Sequence, residues 1–425
     1  MNQFDAETIA IGTELLIGGR SDSNSLFLAE ELGKLGIAVR FKSVVGDERQ
    51  DIVTAIHTAV KRARVIVMTG GLGPTVDDCT REAVASATGC RLGRRKEALD
   101  GMTARLAQWG RTASPAQLRQ ALIPSGATVL NNPVGSAPGF CLTWKKALIL
   151  SLPGVPREME EMVRQEVVPL LRTAHETSGL HPRVPIVRLV FHTFGLAEAD
   201  VDAKLQGLIS KRMPVDLGLL ASPMGVLVSL TTKGSQSVPV KQRDLLQKMA
   251  NEVRSRLGEW LFAEGRDTME EVVGRELTEQ GLMLAVAESC TGGLIGHRLT
   301  QVAGSSAYVD RGAICYSNRA KTEMLGVPAD LIALRGAVSK EVAAAMACGI
   351  RERANVSVGL SVTGIAGPGG GTETKPVGLV YVGLDDGTGR PIAREFRFHG
   401  DRNVIKQRSS QAALDVLRRW LLDKA

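Results

Sequence analysis

Chemistry is concentrated in two stretches of the 425-residue chain. In Met283–Gly296, MLAVAESCTGGLIG, an apolar run leads into Glu288-Ser289-Cys290-Thr291, two glycines and a run with helical spacing. That pattern predicts a strand ending in a tight turn that opens a helix. It sets a hydroxyl and a thiol side by side where helix-start N–H groups can hold an anion or a developing oxyanion. A small polar residue at such a turn also serves simply as a helix cap, so the turn alone leaves both readings open. A thiol at a helix start is intrinsically the better nucleophile, which makes Cys290 a competitor of Ser289. Further along, Tyr316 closes an expected strand and Lys321 opens the next helix. A lysine whose pKa is lowered by burial or a neighbouring cation can act as a base, directly or through a tyrosine. Gly364–Gly371 has six glycine or proline residues among eight, and is either a connector or a loop that lets backbone approach a ligand.

The second stretch is Gly70–Thr80, GGLGPTVDDCT. It lacks the Lys-Ser/Thr of a P-loop and is not the dinucleotide fingerprint G-x-G-x-x-G. Gly70, Gly71, Gly73 and Thr75 can still cradle a phosphate or pyrophosphate through backbone N–H groups. Asp77 and Asp78 would repel that phosphate unless a divalent cation sat between, and paired carboxylates with phosphate suit a hard, Mg²⁺-type ion. Otherwise they are acids favoured by the dipole at a helix start. Glu14 and Asn24 follow the first expected strand and fall at the same sheet edge, where open α/β sheets bind ligands.

The elements that position these residues read as α/β. Strands are expected at Thr8–Ile11, Ala38–Val45 and Val65–Thr69, with helices at Ser25–Leu35, Ile52–Val60 and Arg81–Ala87; this alternation builds a parallel sheet by right-handed crossovers. The helix Ser25–Leu35 presents Leu26, Leu28 and Leu32. Glu97–Gln120 reads as a mobile or ligand-gripping stretch, and Asn131–Phe140 as a long turn. The strand Lys146–Leu150 leads into a helix reaching Arg172. Thr173–Pro185, broken by Gly179, Pro182 and Pro185, is a linker candidate. A small α+β segment follows, with a hairpin, a surface turn at Gly234–Ser237 and a long helix Pro239–Leu257. A second α/β domain begins near Thr268, with strands Ala307–Tyr316, Val356–Thr363, Val377–Leu384 and Arg394–His399 and a closing helix Asn403–Leu421.

Composition agrees with that class. Aromatic residues make up only 4% while there are 46 glycines, as Gly-rich turns between aliphatic strands would produce. The formal charge of +7 is scattered, without interleaved aromatics, which argues against a nucleic-acid surface. Cys79, Cys90, Cys141, Cys290, Cys315 and Cys348 form no C-x-x-C pair and read as reduced thiols. The start MNQFDAETIAIG has no signal-peptide pattern, and no apolar run reaches the roughly 18 residues of a membrane span. A cytoplasmic protein is expected.

Gly12–Gly18 (GTELLIG), Asn24, Gly70–Thr80, Asn132–Gly139 and Leu152–Glu158, taken together, resemble the molybdopterin-binding-like domain of the CinA family. Ala287–Gly293 (AESCTGG), Gly312–Lys321 (GAICYSNRAK) and Ser361–Gly378 (SVTGIAGPGGGTETKPVG) are similar to that family's C-terminal nicotinamide-nucleotide amidase domain. The resemblance implies three domains: a three-layer α/β/α domain at 1–173, akin to ADP-ribose pyrophosphatases; a KH-type α+β domain at 184–257; and an α/β/α amidase domain at 265–425. It implies deamidation of nicotinamide mononucleotide by Ser289, Tyr316 and Lys321, without a metal. Cys290, Thr291, Gly292, Gly293, Thr363, Gly364, Gly367 and Arg408 are then expected to contact the substrate, Arg408 as a phosphate clamp. It implies ADP-ribose hydrolysis at Glu14, Asn24, Gly70, Gly71, Gly73, Thr75, Gly135, Ser136, Pro153 and Gly154, with a divalent cation at Asp77 and Asp78. A homodimer is expected from the resemblance, membrane and nucleic-acid partners are not. Two positions depart from the family pattern: Val155 replaces a common proline, and Ala199 replaces the serine of a Gly-x-x-Glu-Ser signature. The middle segment has no clear Gly-x-x-Gly loop flanked by basic residues, so RNA binding is not expected.

Overall fold

The computed structural model describes residues 5–177, 186–210, 213–232 and 239–424. Gly179, Pro182 and Pro185 of the expected linker, and the turn expected at Gly234–Ser237, lie outside them. The chain forms two compact units, one of Met1–Val187 with Thr232–Gln242 and one of Arg188–Thr231 with Arg243–Ala425.

The N-terminal unit is built on a six-stranded sheet in the order Val39–Val45, Ala6–Ile11, Val65–Thr69, Ala147–Leu152, Gly139–Trp144, Thr128–Leu130. The first four strands are parallel, the three expected from the alternation among them, and Gly139–Trp144 pairs antiparallel with both of its neighbours, which the alternation did not foresee. The cause is a hairpin in which Trp144 pairs with Ala147 across Lys145 and Lys146, at φ 47° and 67°. Two-residue hairpin loops need such positive φ values, normally supplied by Asn-Gly or Asp-Gly. Lysines carry no such signal. Ile9, Ile66, Met68 and Ile149 face one helical layer, and Val65, Val67 and Leu150 the other.

Two helical readings also change. Leu28 and Leu32 are buried in the helix Asn24–Lys34 while Leu26 is 70% exposed. The expected ligand-gripping stretch Glu97–Gln120 contains a regular helix, Lys96–Gln108, with Ala98, Met102 and Leu106 buried at four-residue steps, the spacing of one helical face. A short helix, Pro115–Leu118, follows, capped by Ser114.

The middle segment is a four-stranded sheet in the order Val215–Ser222, Gly225–Thr232, Arg188–Thr193, Leu261–Glu264. It carries the helices Glu198–Leu205 and Pro239–Leu257.

The C-terminal sheet has the order Val309–Ile314, Leu284–Glu288, Val358–Gly364, Leu379–Asp385, Ile392–Arg397. Its first three strands are parallel and the last two antiparallel. Leu284, Val286, Val358 and Leu360 pack on one side, where the helix Arg402–Lys424 contributes Leu414, Leu417 and Leu421; Ala285 and Ala287 pack on the other. Because Leu284–Glu288 lies between two parallel neighbours, Ser289, Cys315-Tyr316 and the Gly364 loop all leave the sheet at one edge. That edge is where the strand order reverses, the place open α/β sheets offer a ligand. No helix among the described residues is long and apolar enough to cross a membrane.

Candidate active site

Ser289 follows a fully buried strand and its N–H is fixed by the Val362 carbonyl at 3.0 Å. Lys321, in the first turn of the helix Asn318–Leu325, is 1% exposed. Its Nζ lies 3.0 Å from Ser289 Oγ, 2.9 Å from the Cys315 carbonyl and 3.3 Å from the Tyr316 carbonyl. No carboxylate shares this contact set. Burial therefore lowers the lysine pKa from its ordinary value, against weaker opposing effects of Cys315 and Cys290. A neutral amine here donates two N–H groups to the two carbonyls and keeps its lone pair for the Ser289 hydroxyl proton. The geometry sets a hydroxyl against an amine that can take its proton, an arrangement that suits a nucleophile and its base.

Cys290 is placed differently. It is 5% exposed within the apolar core, and burial pushes its thiol up to about 12. A buried, protonated thiol is inert.

The helix start behind Ser289 holds an internal anion. Glu288, 2% exposed, accepts N–H bonds from Gly293 at 2.9 Å, Ile295 at 3.1 Å and Gly296 at 2.8 Å. This changes the expected oxyanion site at Thr291–Gly293. Gly293 is committed to Glu288, and Gly292 donates to the Ser289 carbonyl. The N–H groups of Cys290 and Thr291 bond to no backbone or side-chain oxygen among the described residues, which leaves them available one residue nearer Ser289. The buried Thr291 hydroxyl also has no partner. Gly292 and Gly293 make the turn at φ 61° and 93°, values that L side chains rarely adopt.

Tyr316 does not stand between Ser289 and Lys321. It is 59% exposed, and its hydroxyl accepts from Arg402 at 2.8 Å; of the two routes left open, direct or through the phenol, the geometry has serine and lysine in direct contact. Arg402 also donates to the Gly367 carbonyl at 2.7 Å, joining the glycine loop to the rim. Gly364 ends its strand within this edge. Thr363 is 1% exposed and its hydroxyl donates to the Ala337 carbonyl, which makes it a support of the loop. Arg408 is not in this site; it lines a different cavity, with Phe194 and Phe396. The cations that do approach are Arg402 and Lys406, whose Nζ lies 3.6 Å from where a side chain on Gly292 would begin. Their four-residue spacing places them on one helical face, and this phase was the available sequence signal. Arg408 falls on another face.

In the N-terminal unit the sheet edge gathers Gly70, Asn24 and Gly154. Gly70 N–H donates to the Leu152 carbonyl at 3.0 Å, and Asn24 Nδ2 to the Gly154 carbonyl at 2.9 Å. Any side chain on Gly70, at φ 106°, would collide with the Ile11 carbonyl, and one on Gly71 with the Thr80 hydroxyl. Buried Arg81, which composition and spacing did not single out, holds the Leu72 and Gly73 carbonyls at 2.9 Å each. Asn132 binds the Val134 and Gly135 N–H groups and Glu158, fixing the turn that carries Gly135 and Ser136. Pro153 is buried beside exposed Gly154, and Glu14 and Thr75 are exposed. Asn24 Oδ1 is buried without a partner.

The acids beside this turn fit a cation only in part. Asp78 Oδ2 accepts from the Thr75 N–H at 2.8 Å and hydroxyl at 2.5 Å; its Oδ1 and exposed Asp77 carry no such bond. Among the described residues no group of three or more His, Cys, Asp or Glu side chains could hold a metal. Mg²⁺-type ions are commonly held by one or two carboxylates plus substrate phosphates, and Asp77 with Asp78 Oδ1 suits that mode, not a resident ion.

The structure thus defines a multidomain α/β protein whose C-terminal sheet edge holds a serine against a buried lysine. Comparison with known families matches residues 7–173 to the probable molybdopterin binding domain, 188–263 to the damage-inducible protein CinA KH domain and 266–421 to the CinA C-terminal domain. A putative competence-damage inducible protein of Halothermothrix orenii is 42% identical over 416 residues, covering 98% of each chain. A CinA-like protein of Citrifermentans bemidjiense is 43% identical, over 98% of this chain and 97% of its own. The crystal structure of the competence/damage inducible protein CihA from Agrobacterium tumefaciens is 42% identical over 36% of this chain and 93% of its own, with a TM-score of 0.35. The chain belongs to the CinA family.

Proposed function

We propose that the C-terminal domain hydrolyses the carboxamide of nicotinamide mononucleotide, releasing ammonia and nicotinate mononucleotide. The observation that carries this reading is the 3.0 Å contact between Lys321 Nζ and Ser289 Oγ. Neutral Lys321 takes the hydroxyl proton as Ser289 Oγ bonds to the carboxamide carbon, and the Cys290 and Thr291 N–H groups receive the oxyanion. As the C–N bond breaks, the Lys321 ammonium gives that proton to the leaving nitrogen. Water then attacks the ester, its proton passing to Lys321 and on to Ser289 Oγ. Arg402 and Lys406 hold the phosphate, Arg402 as a planar fork for its oxygens. Arg402→Ala is expected to raise KM about tenfold or more and leave kcat within about threefold; steady-state ammonia release checks it.

A second reading concerns the N-terminal domain, where exposed Asp77 and the Oδ1 atom of Asp78, whose Oδ2 is held by Thr75, follow the Gly70–Gly73 turn. It hydrolyses the pyrophosphate of ADP-ribose, or of a related molecule, with a cation that arrives on the substrate. Asp77 and Asp78 would hold that cation, which supplies charge neutralisation at the phosphates. Asp77→Asn/Asp78→Asn, or excess chelator, is expected to lower AMP release from ADP-ribose at least about 100-fold. Binding of ADP-ribose without AMP in the unaltered chain would instead make this domain a regulatory nucleotide- or pterin-binding module.

A further inference from the structure

The displaced Arg408 belongs to a built cavity of its own. We propose that this cavity, between the middle segment and the edge strand of the C-terminal sheet, is a second ligand site for a phosphate-bearing aromatic molecule of nucleotide size. Its volume is about 670 Å³, within the range of about 300–1,000 Å³ usual for small-molecule sites. It lies wholly inside the second compact unit, and the residues of the Ser289 centre do not line it.

The charge balance favours an anion. Asp415 is neutralised by Arg418 at 2.7 Å and Arg419 at 2.8 Å. Glu395 receives the Tyr381 hydroxyl at 2.8 Å and Arg397 at 2.9 Å. Arg394 and Arg408 also line the cavity, yet neither has a carboxylate partner among the described residues. Against them stands one lining acid outside these pairs, Glu198. The helix Glu198–Leu205 starts at the same wall with Ala197 at its cap position. Asp200 accepts from the Ala197 N–H at 3.3 Å and shares the first turn with Glu198, so the helix start is offset by its own acids and the two guanidiniums carry the attraction. Guanidinium groups converging on one space recognise phosphate through charge-assisted, often bidentate, bonds.

The remaining wall suits a flat body. Phe194, Trp260, Phe396 and Phe398 line it, in a chain where aromatics are only 4% of residues. Phe396 and Phe398 stack at 5.7 Å, and Arg419 covers Trp260 at 4.7 Å, which holds these rings in place. Gly195 keeps the wall open, since a side chain there would come within 2.9 Å of the Trp260 ring.

The test titrates the full-length chain with AMP, following tryptophan fluorescence and measuring stoichiometry by equilibrium dialysis. Of Trp109, Trp144, Trp260 and Trp420, Trp260 alone lines this cavity. The unaltered chain and Ser289→Ala are expected to bind AMP with quenching. Trp260→Phe should lose the quench and keep the stoichiometry. Arg394→Gln/Arg408→Gln should lose one equivalent of bound AMP, through at least a tenfold rise in Kd, at an unchanged thermal midpoint. Adenosine should bind at least tenfold more weakly than AMP. Unchanged stoichiometry and Kd in the double variant, or adenosine binding as tightly as AMP, would overturn the proposal.

Discussion

Lys321→Met is expected to lower the kcat/KM for ammonia release from nicotinamide mononucleotide about 10³-fold at neutral pH. Methionine fills much of the same volume but has no lone pair basic enough to accept the Ser289 proton, and general-base catalysis contributes about 10²–10⁴-fold. Lys321→Arg is expected to fail as well, because a guanidinium keeps its proton. In the proposed mechanism the working form is the neutral amine. Burial depresses its pKa below the ordinary 10.5, so kcat/KM should rise with pH through that lowered value and then level off. Stability moves in the same direction. Between the folded and unfolded lysine pKa values the unfolded chain binds more protons, so stability contributed by this group increases with pH across that window. At neutral pH Lys321→Met no longer has an amine to desolvate and should unfold at or above the midpoint of the unaltered chain. Loss of activity together with retained stability separates a chemical role from a packing role.

Ser289→Ala is expected to abolish ammonia release, by at least about 10⁴-fold, while Cys290→Ala keeps it within about threefold. Removing a nucleophile whose base remains leaves only the contributions of binding and oxyanion donors. Cys290 supplies its backbone N–H in this scheme, and alanine retains that group. Its thiol faces the core, with a pKa of about 12, so no appreciable thiolate exists near neutrality. Activity that survives Ser289→Ala and vanishes in Cys290→Ala would exchange the two roles.

The placement of this pair was legible from residue order more than from residue type. Ser289 after an apolar strand and Lys321 after another both had to reach the C-terminal edge of one sheet, and parallel pairing of Leu284–Glu288 with Val309–Ile314 brings them together. Val65–Thr69, five buried residues in a row, was equally plain. What stayed hidden depended on direction. Tyr316 is as near in sequence as Lys321, but its ring turns outward to Arg402 while its carbonyl holds the lysine. Arg408 and Arg402 share a helix and differ in phase, which sends Arg408 away from the Ser289 edge and into the other cavity. Glu288 looked like the end of a strand, and only the fold shows its carboxylate occupying the helix start reserved for a ligand. In the N-terminal sheet the Lys145-Lys146 turn hid a hairpin, because two lysines carry no turn signal and only the first two residues of the strand Gly139–Trp144 fall within the expected long turn.

The proposed mechanism passes through an acyl-enzyme, whose position in the chain can be read by mass. The full-length chain is mixed with nicotinamide mononucleotide, quenched in acid during turnover, digested, and its peptides mapped by mass. A nicotinate-mononucleotide ester on Ser289 is the result this mechanism predicts. The adduct on Cys290, or ammonia accumulating while Ser289 stays unmodified, would contradict it.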